Sequence, residues 1–242
     1  MLHTLSNITL LRNTIIPNLI GQFEADFSIA LPEEKKMVAD ILSQIDTQLF
    51  QSYIRPHAEY VTNTISTSVA SADWTPRQRP NSVRPYVYNV LLHLVALHTE
   101  LSTTAEPLVH PVLSSLFETI CKALLEAFRA RATSATTSRP FDLFCLMQAT
   151  LDVEFFARTL SGMFGTERAS EAQGQVYIEL DRTGEARALQ KELPEMRAIL
   201  KRLSESTRSE FACFKKERKD RESKKDPSDR ASSRAGTPGV NR

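Results

Sequence analysis

The sequence predicts an all-α protein, on three observations. Apolar residues recur at intervals of three and four along most of the chain, the spacing that gathers them on one helical face. Glycine is scarce, 7 residues of 242, which leaves little material for the tight turns of a sheet-rich fold. Strand signals are nearly absent, and the best candidate, Val176 to Leu180, fits a helix equally well. With 41% hydrophobic residues the chain can bury a sizeable core as helices packed against their antiparallel neighbours.

In chain order, Ile8, Leu11, Ile15, Leu19 and Phe23 share one face of a first helix, which Pro17 should kink by removing a backbone donor. So early a start reads as the middle of an architecture. Pro32 followed by Glu33 and Glu34 marks the next start, because proline fits a first turn and carboxylates favour the positive end of the helix dipole. Val38, Ile41, Ile45 and Leu49 are expected to face inward. Pro56 interrupts before Ala58, Val61, Ile65 and Val69 resume the face, giving one long bent helix or two collinear ones. Residues 73–84, DWTPRQRPNSVR, have no period and read as a loop. Pro85 opens a helix carrying Tyr86, Val90, Leu94 and Leu101. Another follows, with Pro111 in its first turn and a broad stripe of Val112, Leu116, Ile120, Leu124 and Phe128. Ala130 to Arg139, rich in small and hydroxyl residues, predicts a flexible loop.

From Leu143 to Phe164 the apolar residues cover most of the helical circumference, as in a helix central to its bundle; Leu151, Phe155 and Leu160 are its expected core. Gly162 and Gly165 flank its end. Glu167 to Asp181 reads as further helix. Ala186, Leu189, Leu193, Met196, Leu200 and Leu203 then form a single seam, with Lys191 and Glu195, and Lys201 and Glu205, placed to pair on the solvent side. Pro194 predicts a kink or a restart, and helix is expected as far as Cys213. The seam could bind a partner helix, but packing such a face inside the bundle is the expected use. The organisation is therefore long N-terminal helices over 1–72, a loop over 73–84, a helical bundle over 85–216 and a disordered charged tail over 217–242.

The net charge of +1 is unevenly spread: ten Lys or Arg against five Asp or Glu lie between Lys215 and Arg242, leaving the body slightly acidic. A weak, salt-sensitive membrane contact through Lys215, Lys216, Arg218, Lys219, Lys224 and Lys225 is conceivable chemistry. Glu217, Asp220, Glu222 and Asp226 dilute that field, and no aromatic residue after Phe214 could stack on a base, so nucleic acid is not expected as a partner. Cys121, Cys145 and Cys213 lie far apart among apolar neighbours and read as buried reduced thiols of a reducing compartment. No apolar run approaches the roughly 18 residues of a membrane span, and the N-terminus lacks the pattern of a secretory signal.

No catalytic, cofactor or metal site is expected. Asp152 and Glu154 are two apart on a helix and so point to different faces, unfit to share a substrate. His93 and His98 are five apart, and His57 and His110 sit beside prolines, a poor set for zinc. Neither GxSxG, GxxxxGK[ST] nor GxGxxG occurs.

Three longer runs carry a resemblance: LMQATLDVEFFARTLSGMF with ELPEMRAILKRLSESTRSEFACFKK, RPYVYNVLLHLVALHTELSTTAEPL, and FSIALPEEKK with IDTQLF. They are similar to the C-terminal portion of the exocyst subunit Sec-five, exocyst complex component two, in its fungal form, over nearly all of residues 1–216. The resemblance implies consecutive helical bundles stacked as a rod, and a non-enzymatic role in holding secretory vesicles at the plasma membrane. It implies a cytoplasmic protein, peripheral at sites of secretion. Other exocyst subunits would be its partners, with small GTPases or anionic phospholipids as indirect ones. The family's chain is much longer on its N-terminal side, where coiled-coil segments assemble the complex, so the resemblance leaves open a truncated or a wrongly delimited gene product. The turn DRTGE, Asp181 to Glu185, departs from the family in being short and glycine-bearing. The alternative is a stand-alone helical adaptor whose basic tail binds anionic membrane.

Overall fold

The computed structural model describes residues 1–133, 142–164, 174 and 186–215. Among them every regular element is helical, so the fold is all-α. Helix α1 (Leu2–Leu10) runs through a stretch of wide turns, Leu11–Ile15, into α2 (Ile16–Phe27); α3 spans Pro32–Ala70. Then come α4 (Pro85–Thr104), α5 (Val109–Thr133), α6 (Leu143–Phe164) and α7 (Ala186–Ser206).

The prolines act as their chemistry dictates, with two refinements. Pro32 and Pro85 stand in first turns. Pro17 does not end its helix; the turns just before it widen, and Ile16 N–H reaches back to the Leu11 carbonyl. That wider turn gives room to a ring which would otherwise strike the carbonyl of Asn13. Pro56 and Pro194 both lie inside continuous helices, so α3 is one helix and α7 does not restart. Gln190, whose carbonyl Pro194 leaves unpaired, is exposed and water can satisfy it.

Two boundaries differ from expectation. α5 continues to Thr133, past the expected loop start at Ala130, because Arg131 is tied down: its guanidinium donates to the Val69 and Ser71 carbonyls and to Thr75, and lies 5.0 Å from the centre of the Trp74 ring. α7 stops at Ser206, short of Cys213, and successive turns follow. There the hydroxyls of Ser206 and Thr207 both donate to the Leu203 carbonyl, competing with the helical pattern. As expected of a residue flanking the helix end, Gly162 lies within α6, two residues before Phe164. A Cβ there would come within 2.9 Å of the Phe214 carbonyl oxygen, so glycine permits the chain after α7 to close on α6. The expected helix over Glu167 to Asp181, the DRTGE turn and the tail 217–242 lie outside the described residues, as do residues 134–141.

One hydrophobic core runs from Leu2 to Phe214. The C-terminal half of α3 lies along α5, α7 lies on α6, and α4 touches α3, α5 and α6. α6 is enclosed on nearly all sides, with Leu151, Phe155 and Leu160 fully buried. The segment Glu106–Thr133 is long and apolar enough to cross a membrane by length and composition, contrary to the reading of the sequence. Its apolar stripe, including Val112, Leu116, Ile120 and Leu124, is buried in this core, which is the use the fold makes of it.

The N-terminal arm is different. α2 has no buried residue, and the buried positions of α3 begin only at Tyr53. Ile41 and Ile45 are exposed and Val38 and Leu49 half-buried, so the expected inward face of this part of α3 is largely open.

Candidate functional site

The most constrained polar site lies where α4 meets α6. The Asp152 side chain has no solvent exposure. Its Oδ1 accepts from the Arg84 N–H at 3.0 Å and from the Gln148 amide at 2.8 Å, while Oδ2 accepts from the Tyr86 hydroxyl at 2.9 Å. Gln148 also donates to the Ser82 carbonyl at 3.1 Å. One turn of α6 therefore holds the end of the 75–84 loop and the first turn of α4, supplying an acceptor to an otherwise unpaired N–H at a helix start. Burial pushes the Asp152 carboxyl up to about 6, with the three hydrogen bonds and the charge of Arg84 working against that rise. Burial also raises Tyr86 well above the usual phenol range, helped by Asp152.

The loop is tied from other sides too. Trp74 is buried against Phe128, and the Arg84 guanidinium donates to the Trp74 carbonyl at 2.6 Å. From α7, Glu192 and Glu195 both accept from Arg79, the second at 2.5 Å, and Arg202 donates to the Asn81 carbonyl at 3.0 Å. Glu195 thus meets Arg79 in the loop rather than Lys191 on its own helix.

The seam of α7 faces α6. Met196 and Leu200 are buried, Leu189, Leu193 and Leu203 half-buried, and Ile199 joins them as a buried member the spacing had left out. Beyond α7 the chain turns so that Phe211 packs edge-on to Phe155, 6.3 Å between ring centres, and stacks on Phe214. Of the tail cations, Lys215 is exposed; Lys216, Arg218, Lys219, Lys224 and Lys225 lie outside the described residues.

Two polar features escaped the sequence. For Asp152, which the spacing sets beside Glu154, the signal is its position four residues after Gln148 in a helix whose apolar residues cover most of the circumference. His57 Nδ1 and His93 Nε2 meet at 3.2 Å between α3 and α4, and burial lowers both imidazoles below their ordinary range, with Glu100 opposing that on His57. Only tertiary packing pairs residues 36 apart.

As chemistry, the site binds its own fold. All three donors around Asp152 belong to the chain, so no substrate proton is within its reach. Burial raises the Cys121 thiol to about 12 and Cys145 to about 11, the opposite of an activated nucleophile. No group of three or more His, Cys, Asp or Glu residues arranged for a metal occurs among the described residues. A cleft of about 390 Å³ between α3 and α5, with Arg55, Glu59 and Thr119 in its walls, is open to solvent.

Residues 1–214 match the family Exocyst complex component Sec5. The chain belongs to the Sec5 family, subunits of the exocyst complex. It is 26% identical to human Exocyst complex component 2 over 126 residues and 25% identical to the mouse protein over the same length. Each alignment covers 51% of this chain and 14% of the relative, so the matched region is about one-seventh of the curated proteins. No solved structure matches this chain.

Proposed function

We propose that this Sec5-family chain is a non-enzymatic part of an exocyst subunit that holds secretory vesicles at the plasma membrane by presenting helical surfaces to its sister subunits. The observation carrying this reading is the family match over residues 1–214, a span from whose two ends, Leu2 and Phe214, residues join one core. A core shared by every described helix except α2 makes a stiff body, suited to spanning distance and presenting surfaces. The chain would work in the cytoplasm, peripherally, at sites of secretion.

The test is affinity purification of the tagged endogenous protein at moderate salt, with mass spectrometry of what accompanies it. A stoichiometric set of other exocyst subunits is expected. Recovery of the chain alone, under conditions that preserve the complex on a second tagged subunit, would overturn the reading.

A further inference from the structure

We propose that the α2–α3 arm is a docking face for an amphipathic helix with basic flanks, belonging to a partner protein. The inference rests on the reading of the chain as a presenter of helical surfaces and names one of them. Two stripes carry it. Leu19, Phe23 and Phe27 recur every four residues on α2, and Met37, Ile41 and Ile45 do so on α3. All six are exposed, from 40% at Ile45 to 61% at Leu19 and Phe27. Exposed apolar stripes of this kind mark an interaction site rather than a solvated face, and a repeat of four is what the apolar side of another helix can lie along.

Charge selects the occupant. Residues 10–49 hold six carboxylates against three cations, a net of −3. Asp46 is engaged by Arg12 at 2.7 Å, and Glu24 accepts the Leu31 N–H at 2.9 Å. Asp26, Glu33, Glu34 and Asp40 remain, with only Lys35 and Lys36 to offset them. An anionic bilayer would meet this rim as like charge, and so would a second copy of the same face. A helix whose apolar side is bordered by Lys or Arg satisfies both the stripes and the rim. The face is also pre-shaped: Phe23 and Phe27 rest against each other, 4.5 Å between ring centres, and the Glu24 bond to Leu31 fixes the turn between the helices.

The test places a photo-activatable phenylalanine analogue at position 23 or 41 of the tagged protein in cells, with cross-linking before purification and mapping of the cross-linked peptide. The expected product joins both positions to a helix-forming segment of another protein with Lys or Arg beside its apolar residues. Combined Asp26→Lys, Glu33→Lys and Asp40→Lys should cut its yield at least fivefold while leaving the melting temperature of the purified protein unchanged. Cross-links to lipid, to a second copy or within the same polypeptide overturn the inference, as do cross-links insensitive to the charge changes or no product at either position. Loss of the exocyst subunits from the purification is a separate result, and it strikes the proposed function instead.

Discussion

The second half of α3 and the first half obey the same sequence rule and meet opposite fates. Val61, Ile65 and Val69 are spaced by four and have no exposure, whereas Met37, Ile41 and Ile45, spaced by four on the same helix, are 57%, 49% and 40% exposed. What differs is what lies opposite: α5 runs along the C-terminal half, whereas at the other end Met37, Ile41 and Ile45 are left open by every described element. Periodicity states which face of a helix is apolar. It does not state whether anything covers it.

The sharpest way to break this comparison is to make one chemical change in both regions. Leu200→Asp puts a carboxylate at a position 4% exposed, losing apolar burial and desolvating a charge for about 4–5 kcal/mol. That should lower Tm by more than about 10 °C in a chain of this size. Leu19→Asp makes the same change at 61% exposure and should stay within about 0.5 kcal/mol. Thermal unfolding followed by circular dichroism checks both, and equal losses would show that the arm is as tightly packed as the core.

Asp152 sets the polar part of the core against the exposed acids of the arm. Asp152→Ala strands the Arg84 N–H, the Gln148 amide and the Tyr86 hydroxyl and should cost about 3 kcal/mol. Asp152→Asn keeps an acceptor for the first two and an amide that Tyr86 can accept from, so its cost should be under about 1 kcal/mol. Asp40→Ala in the arm should be neutral. Urea unfolding at pH 7 ranks the three, and an asparagine variant as weak as the alanine one would mean that the charge itself is required.

The pH dependence has a definite sign. The folded carboxyl, at about 6, is raised above its unfolded value near 3.8, so the folded state holds the proton more tightly. This contribution is fully present below pH 3.8 and is lost as pH rises through about 6, on the order of 2–3 kcal/mol over the window. Relative to wild type, Asp152→Asn should therefore gain stability from pH 4 to pH 7. The His57 and His93 pair acts oppositely: both are lowered, so their contribution is complete above about 6.5 and is lost as pH falls below it. It is common to both proteins and cancels in the difference. Parallel stability curves for the two would contradict the assignment.

The core was legible because burial there follows from composition. A helix as apolar all round as Leu143 to Phe164 has no face it could leave in water. Starts marked by Pro32 and Pro85 were legible because proline is a local signal. The arm was not, since Val38, Ile41 and Ile45 look the same whether or not a neighbour exists. Nor were the Asp152 cluster and the histidine pair, whose partners come from distant parts of the chain. The end of α7 turned on which carbonyl the hydroxyls of Ser206 and Thr207 prefer, a competition between side chain and backbone that apolar spacing does not report.

The smallest effect asks whether the arm melts with the core. Ser28 ends α2 in the left-handed region, φ 50°, where a Cβ is strained and glycine is not. Ser28→Gly should relieve that strain, partly offset by greater freedom in the unfolded chain, for a net gain of about 0.5 kcal/mol. Where the gain appears is the informative part. If the arm opens on its own, amide exchange in α2 should slow about twofold, since 0.5 kcal/mol is a little over a factor of two in an opening equilibrium, while global unfolding stays unchanged. If α2 and the core unfold as one unit, the same increment appears in the global transition and exchange slows equally in α2 and α6. Burial favours the first outcome, because Leu2 and Leu5 are the only buried residues of α1, the wide turns and α2.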